Sequence, residues 1–415
     1  MEYNDLFARV KRASREIAQL DDEKRNRVIL RLAQLLEVNE EKLLSANEKD
    51  LSKMDPANPL YDRLKLDHQR IKGIANDLRH VAELQSPVGE EIERRLLPNG
   101  ILLRKVRVPF GVIGVIYEAR PNVTFDVFSL CFKSGNACIL KGGRDAENSN
   151  LAGMSLIHKA LEEEDVNRDV AILLPSTHEA TAALLGAVGY VDVCIPRGGR
   201  KLIDFVRDNA KVPVIETGAG VVHLYFDRNG DLEMGARIIE NAKTRRVSVC
   251  NALDTLLIHR ARLGQLHHLV APLAEKKVEL YADPESYDAL ENIYPASLLK
   301  RACEEDWDRE WMDHKMGVRT VGSLEDAVNH ISIHGSGHSE SIVTDDVAVA
   351  DSFQRFVDAA CVYVNLPTSF TDGAQFGLGA EIGISTQKLG PRGPMGLKEM
   401  TTYRYLLSGH GQVRP

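Results

Sequence analysis

Long apolar runs, paired cysteines and basic tracts are all scarce in this 415-residue chain, and each scarcity excludes something. No stretch approaches the roughly 18 consecutive apolar residues that a membrane span needs. The first twenty residues carry Asp5, Arg9, Lys11, Arg12 and Glu16 without a continuous apolar core, so no signal peptide is expected. Net charge is −8 and no long basic run is present, which argues against nucleic acid as a partner. The six cysteines, at 131, 138, 194, 250, 303 and 361, form neither a CxxC pair nor a disulfide framework. A reduced, cytoplasmic protein is expected. Two phosphate signatures are also missing: no GxGxxG comes after an apolar run, and there is no GxxxxGK[ST].

What is present is an ordinary globular composition, 44% hydrophobic and 27% charged, with length enough for two or three domains. Residues 1 to about 85 read as helical, with Val28, Ile29, Leu32, Leu35 and Leu36 at helical spacing. ILLRKVRVPF (101–110) alternates and predicts half of a two-stranded excursion. From Gly111 the period changes. Apolar runs at 111–117, 137–141, 169–174, 191–195 and 211–215 alternate with helical runs near 123–134, 146–163, 178–188 and 199–209. That alternation predicts βαβ units and a doubly wound parallel sheet, with ligands beyond the carboxyl ends of its strands. A second α/β series begins at VVHLYFD (221–227), with strands near 254–259, 317–321, 340–344 and 361–365, and a boundary is expected near residue 225. The Gly- and Pro-rich tail closes with TTYRYLL (401–407), read as an edge strand.

Several stretches carry chemistry-bearing residues. KTRRVSVCNALDT (243–255) presents Cys250 after Lys243, Arg245 and Arg246, cations that would favour a reactive thiolate. Asn251 comes next, with an amide able to donate. A buried core cysteine beside a solvated basic turn is the competing reading. Cys138, Cys194 and Cys361 lie inside apolar strand runs, Cys131 lies on an apolar helix face, and Cys303 precedes Glu304, Glu305 and Asp306, which would raise its pKa. LKGGRDA (140–146) places Lys141, Gly142, Gly143 and Arg144 between a strand and a helix, as a phosphate or ribose loop or simply as a basic turn. IPRGGRKLID (195–204) repeats the arrangement with Arg197, Gly198 and Gly199. EARPNVTFD (118–126) puts Arg120 and Asn122 at another strand end, where a side-chain amide could serve an oxyanion. His330, His334 and His338 recur every four residues, but Gly335 and Gly337 interrupt the helix and no carboxylate cluster accompanies them, so no metal site is expected.

GVIGVIYEARPNVT, IPRGGR, CNALDTLLIH, VYVN, FGLGAEIGISTQK and RGPMGL together resemble the gamma-glutamyl phosphate reductase family of the aldehyde dehydrogenase superfamily, over nearly the whole chain. The resemblance implies an α/β, aldehyde dehydrogenase-like fold: two doubly wound parallel-sheet domains plus a small oligomerisation flap. Residues 1–225 would bind cofactor, with the 100–110 excursion reaching the flap; 226–365 would be catalytic; 366–415 would return to the flap. It implies NADPH-dependent reduction of glutamate 5-phosphate in proline biosynthesis, through a thioester on Cys250 with Asn122 at the oxyanion. Lys141 falls on the lysine that contacts the adenosine ribose. Arg144 stands where NAD-preferring relatives carry a glutamate, which favours a 2′-phosphate and hence NADPH. Arg120 is the candidate for the substrate's phosphate or carboxylate, and Glu216 falls near the superfamily's general base. The sequence departs from family wording at TRRVSVC and at Ser369. A homodimer or homotetramer, and a glutamate 5-kinase partner, are implied by the same resemblance. The rivals are an ordinary aldehyde dehydrogenase, a non-catalytic nucleotide-binding scaffold and a histidine metal hydrolase.

Overall fold

The computed structural model describes residues 3–56, 58, 61–118 and 120–414, and the chain divides into two compact units. One holds residues 1–217, 377–383 and 395–415; the other holds 218–376 and 384–394. The crossing at Thr217–Gly218 precedes the expected boundary at 225 because the strand His223–Phe226 is hydrogen-bonded between two strands of the second unit. The tail is likewise shared between the units rather than forming one segment.

The first unit is built on a four-stranded parallel sheet in the order Ala171–Leu173, Ala137–Lys141, Val112–Tyr117, Val193–Arg197. Every residue of Val112–Tyr117 is buried, as expected of a strand covered on both faces. Chain order reverses between Val112–Tyr117 and Val193–Arg197, so the topological switch point lies beyond Tyr117 and Arg197. KVPVI (211–215) does not become a strand: Pro213 has no N–H to donate, and only an isolated bridge joins Cys194 to Val214.

Helices cover this sheet. Asp22–Val38 starts at Asp21, whose carboxylate accepts the Lys24 N–H at 2.7 Å, and buries Val28, Ile29, Leu32, Leu35 and Leu36. The buried Asp50 carboxylate caps Glu147–Glu163 from outside: it accepts the N–H groups of Asn148 at 3.1 Å and Ser149 at 2.8 Å, and the Ser149 hydroxyl at 2.7 Å. A hairpin of Glu91–Leu96 and Leu102–Pro109 is joined by Thr401–Ser408 into a three-stranded antiparallel sheet, with Thr401–Ser408 on its edge.

The second unit is a seven-stranded, all-parallel sheet in the order Leu299–Arg301, Glu279–Ala282, Lys315–Val321, Thr255–His259, His223–Phe226, Ser339–Val343, Cys361–Val364. Glu279–Ala282 and Leu299–Arg301, of four and three residues, are too short to read as strands from sequence. A two-stranded ladder of Ile384–Ser385 and Gly393–Pro394 completes the unit.

Replacing Asp50 with Ala leaves the Ser149 amide buried without its acceptor. It should cost about 2–3 kcal/mol, seen as a lower urea midpoint with an unchanged m-value.

Candidate active site

In the first unit the residues of interest gather at the carboxyl ends of the strands. Lys141 is the last residue of Ala137–Lys141; Arg144, exposed, opens the short turn Arg144–Ala146. Burial lowers the Lys141 ammonium below its ordinary pKa, and Arg144 adds to the effect. Gly142 and Gly143 line a cavity of about 230 Å³ with Glu147, Asn150, Leu173 and Pro175. A side chain at position 142 would meet the Asn150 amide at 2.2 Å, so only glycine lets the backbone lie against that floor. The next helix start is not an open anion site, because Asp50 takes its amides.

The Arg197–Gly198–Gly199 loop is filled in the same way. Glu118 accepts the Gly199 N–H at 2.9 Å, and its carboxylate oxygen lies 2.5 Å from where a Gly198 Cβ would stand. Sequence reasoning passed over Glu118, whose only signal was its place at the end of the buried strand. Asn122 opens the helix Asn122–Lys133 and donates from Nδ2 to the Asp126 carboxylate at 2.9 Å. Loss of hydration, then the charge of Asp77, raise Asp126 to about 7. Arg120 stands two residues ahead, half-buried. Glu216 faces Arg207 at 3.8 Å.

In the second unit Cys250 sits at the amino end of the sheet, five residues before the strand Thr255–His259 begins. Its turn, between the helix Leu232–Thr244 and that strand, has no regular structure and is held by neighbours. Gly220 passes so close that an added Cβ would lie 1.6 Å from the Cys250 carbonyl oxygen. Asp254 accepts the Trp311 N–H at 2.9 Å and the Val222 N–H at 3.3 Å.

Two sequence neighbours of Cys250 are engaged with the rest of the unit. The Asn251 amide does donate, to the Thr371 carbonyl at 2.9 Å, and so fastens the Thr368–Phe370 turn. Lys243 is fully buried rather than part of the solvated basic turn, and its charge is answered by Asp254 and Asp313. Burial pushes its ammonium down and the Asp254 carboxyl up. Ser369 is buried and donates to the Asn241 side chain at 2.7 Å.

The remaining thiols differ from Cys250, which is partly accessible. Cys131, Cys138, Cys194 and Cys361 are buried, and burial lifts Cys194 to about 12. Cys303 is exposed, but hydrogen bonding to Asp306 and Glu305 raises its pKa.

The chain matches the aldehyde dehydrogenase family over residues 1–286. It is 59% identical over 411 residues to gamma-glutamyl phosphate reductase of Bacteroides thetaiotaomicron, covering 99% of both chains. The chain belongs to the gamma-glutamyl phosphate reductases of the aldehyde dehydrogenase family. The corresponding protein of Chlorobium chlorochromatii is 57% identical over 98% of this chain and 97% of its own. The crystal structure of gamma-glutamyl phosphate reductase from Thermotoga maritima superposes with a TM-score of 0.94 at 37% identity, covering 99% of each chain. An acetylating aldehyde dehydrogenase from Geobacillus thermoglucosidasius, 16% identical with a TM-score of 0.71, shares the fold; it covers 100% of this chain and 98% of its own.

In this reductase-family chain His330 and His334 pack one turn apart, ring centroids 4.5 Å from each other, and His334 pairs with Asp308 at 2.9 Å, while His338 lies elsewhere. His330 packs edge-on against His223, with ring centroids 5.2 Å apart, while the buried His338 pairs with the Ser339 hydroxyl at 2.7 Å. Among the described residues no group of three His, Cys, Asp or Glu side chains could hold a metal ion. Burial holds both rings neutral, His330 down to about 2 and His338 to about 4. Each gains a proton on unfolding below its ordinary pKa, so stability present at neutral pH is lost as pH falls from 6.5 toward 4. The unfolding free energy should drop over that range by up to about 1.4 kcal/mol per pH unit for each ring. His330→Phe should flatten the slope by one ring's share in pH-dependent denaturant melts.

Proposed function

We propose that this chain reduces L-glutamate 5-phosphate to L-glutamate 5-semialdehyde and phosphate, with NADPH as reductant, as a cytoplasmic step of proline biosynthesis. One observation carries the reading. Of six cysteines, Cys250 alone is both not fully buried and set in a segment with no carboxylate within three residues on either side. The name of the full-length relatives, a reductase of gamma-glutamyl phosphate, supports the substrate.

The Cys250 thiolate attacks the 5-acyl carbon: a C–S bond forms, the C–O bond to phosphate breaks, and phosphate leaves with its electron pair. The Asn122 amide and the Cys250 backbone N–H are assigned to the oxyanion of the tetrahedral species. When bound, NADPH supplies the hydride that reduces the thioester carbon. Expulsion of the Cys250 thiolate then frees the aldehyde. The acyl phosphate brings its own leaving group, so the reaction asks no water activation of Glu216. Arg120 is assigned to the substrate's phosphate or carboxylate.

The residues present fit a phosphorylated dinucleotide. Lys141 and Arg144 flank the mouth of the loop whose Gly142 floor admits no side chain, and Arg144 makes no ion pair among the described residues. The Arg197–Gly198–Gly199 loop would serve the same ligand at the switch point. The antiparallel sheet, with Tyr403, Tyr405 and Leu407 exposed on its outer strand, is assigned to assembly as a homodimer or homotetramer. A glutamate 5-kinase would supply the short-lived acyl phosphate.

Cys250→Ser should abolish reduction while NADPH binding, read by fluorescence titration, stays within about two-fold. In the oxidative direction, NADPH formation from glutamate semialdehyde should require phosphate. Activity without phosphate would instead identify a hydrolytic aldehyde dehydrogenase. Arg144→Glu should lower the NADPH-over-NADH ratio of kcat/KM by about ten-fold or more, since it replaces a charge-assisted partner with a repelling one. An unchanged ratio would remove Arg144 from cofactor selection.

A further inference from the structure

An amide can act as an oxyanion donor only if its nitrogen, not its oxygen, faces the developing charge. The Asn122 side chain could stand either way round, because its two ends have nearly the same shape. The group that breaks this tie lies one helical turn away. Asp126 comes four residues after Asn122 on Asn122–Lys133, on the same helix face, and accepts its Nδ2–H at 2.9 Å. A carboxylate at that distance takes an N–H and repels a carbonyl oxygen. The reversed amide would set Oδ1 against Asp126, two acceptors with no proton between them. One amide hydrogen is thereby committed to Asp126, and the second stays on the same nitrogen. Asn122 is itself only partly buried.

We infer that Asp126 is a positioning residue that selects the donor orientation of the Asn122 amide for the reduction step. The inference rests on the reading of Asn122 as the oxyanion donor. The selection depends on charge. Loss of hydration, and then Asp77 on the helix His68–Glu83, push the Asp126 proton affinity up. The Asn122 amide and the Arg197 guanidinium at the end of Val193–Arg197 pull it down, and His80 lies beside Asp77. Once protonated, Asp126 has an O–H that can donate to Oδ1, so the reversed amide becomes as good a partner as the productive one. The orientation is then no longer enforced, and turnover falls as pH drops through the titration of Asp126 near 7.

The test compares Asn122→Ala, Asp126→Asn and Asp126→Ala in the full-length enzyme, measuring kcat, KM for NADPH and kcat against pH from 5.5 to 9. Asn122→Ala should lower kcat by about 100- to 1,000-fold. Asp126→Asn offers both a donor and an acceptor, as the protonated acid does. Its kcat should lose the Asp126 limb near 7 and stay there at the acid-side level of the native enzyme, with KM for NADPH within two-fold. Asp126→Ala should lower kcat by about ten-fold without an acid limb; should it not fold, Asp126→Asn decides alone. A purely structural i, i+4 bond would shift the melting temperature yet leave the pH profile of Asp126→Asn native, and that result overturns the inference. If Asn122→Ala itself turns over normally, the oxyanion reading fails first.

Discussion

Asp254 holds the turn that carries Cys250. Its backbone N–H donates to the Val222 carbonyl at 2.9 Å, its carbonyl accepts from Gly317 at 2.7 Å, and its carboxylate takes the amides of Trp311 and Val222. Four hydrogen bonds from one residue therefore bind the starts of three strands at the amino end of the sheet. Backbone groups in a turn have no ladder to satisfy them, so a buried carboxylate acting as acceptor is the available substitute. Such a carboxylate is costly to bury, and the enclosed Lys243 charge offsets part of that cost. Beside this frame Gly220 approaches the Cys250 carbonyl more closely than any residue with a Cβ could.

The first unit uses carboxylates differently. At two helix starts where a phosphate would be at home, the chain supplies its own anion: Asp50 at Glu147–Glu163 and Glu118 at Arg200–Asn209. Helix amides that would otherwise lack acceptors are thus satisfied without a ligand. Any phosphate held at these loops would then depend largely on side chains, and the cations Lys141, Arg144 and Arg197 stand at those strand ends. Glu118 is exposed, and Asp50 is buried and bonded to a side-chain hydroxyl as well as to amides. The two caps differ accordingly: Asp50 belongs to the fold, whereas Glu118 lies at the switch point where an anion would compete with it.

Sequence alone determined the elements whose pattern is local. Unbroken apolar runs such as Val112–Tyr117 and Ala137–Lys141 must be interior parallel strands, and Cys303 is disfavoured by its acidic neighbours wherever it folds. It could also place Lys141, Arg144, Arg197 and Asn122 at strand ends, because each stands at or just past the close of an apolar run. It did not reveal the strands Glu279–Ala282 and Leu299–Arg301, whose four and three residues are too few to establish a period. Tertiary structure decided which polar groups satisfy which. The Asp50–Ser149 contact spans 99 residues, and the Glu118–Gly199 contact spans 81. Asn251 became a fastener through the Thr371 carbonyl, and Lys243 went inside beside Asp254. Hydrogen-bond partners are allotted by proximity in space, and a single chain's composition and spacing carry no record of that proximity.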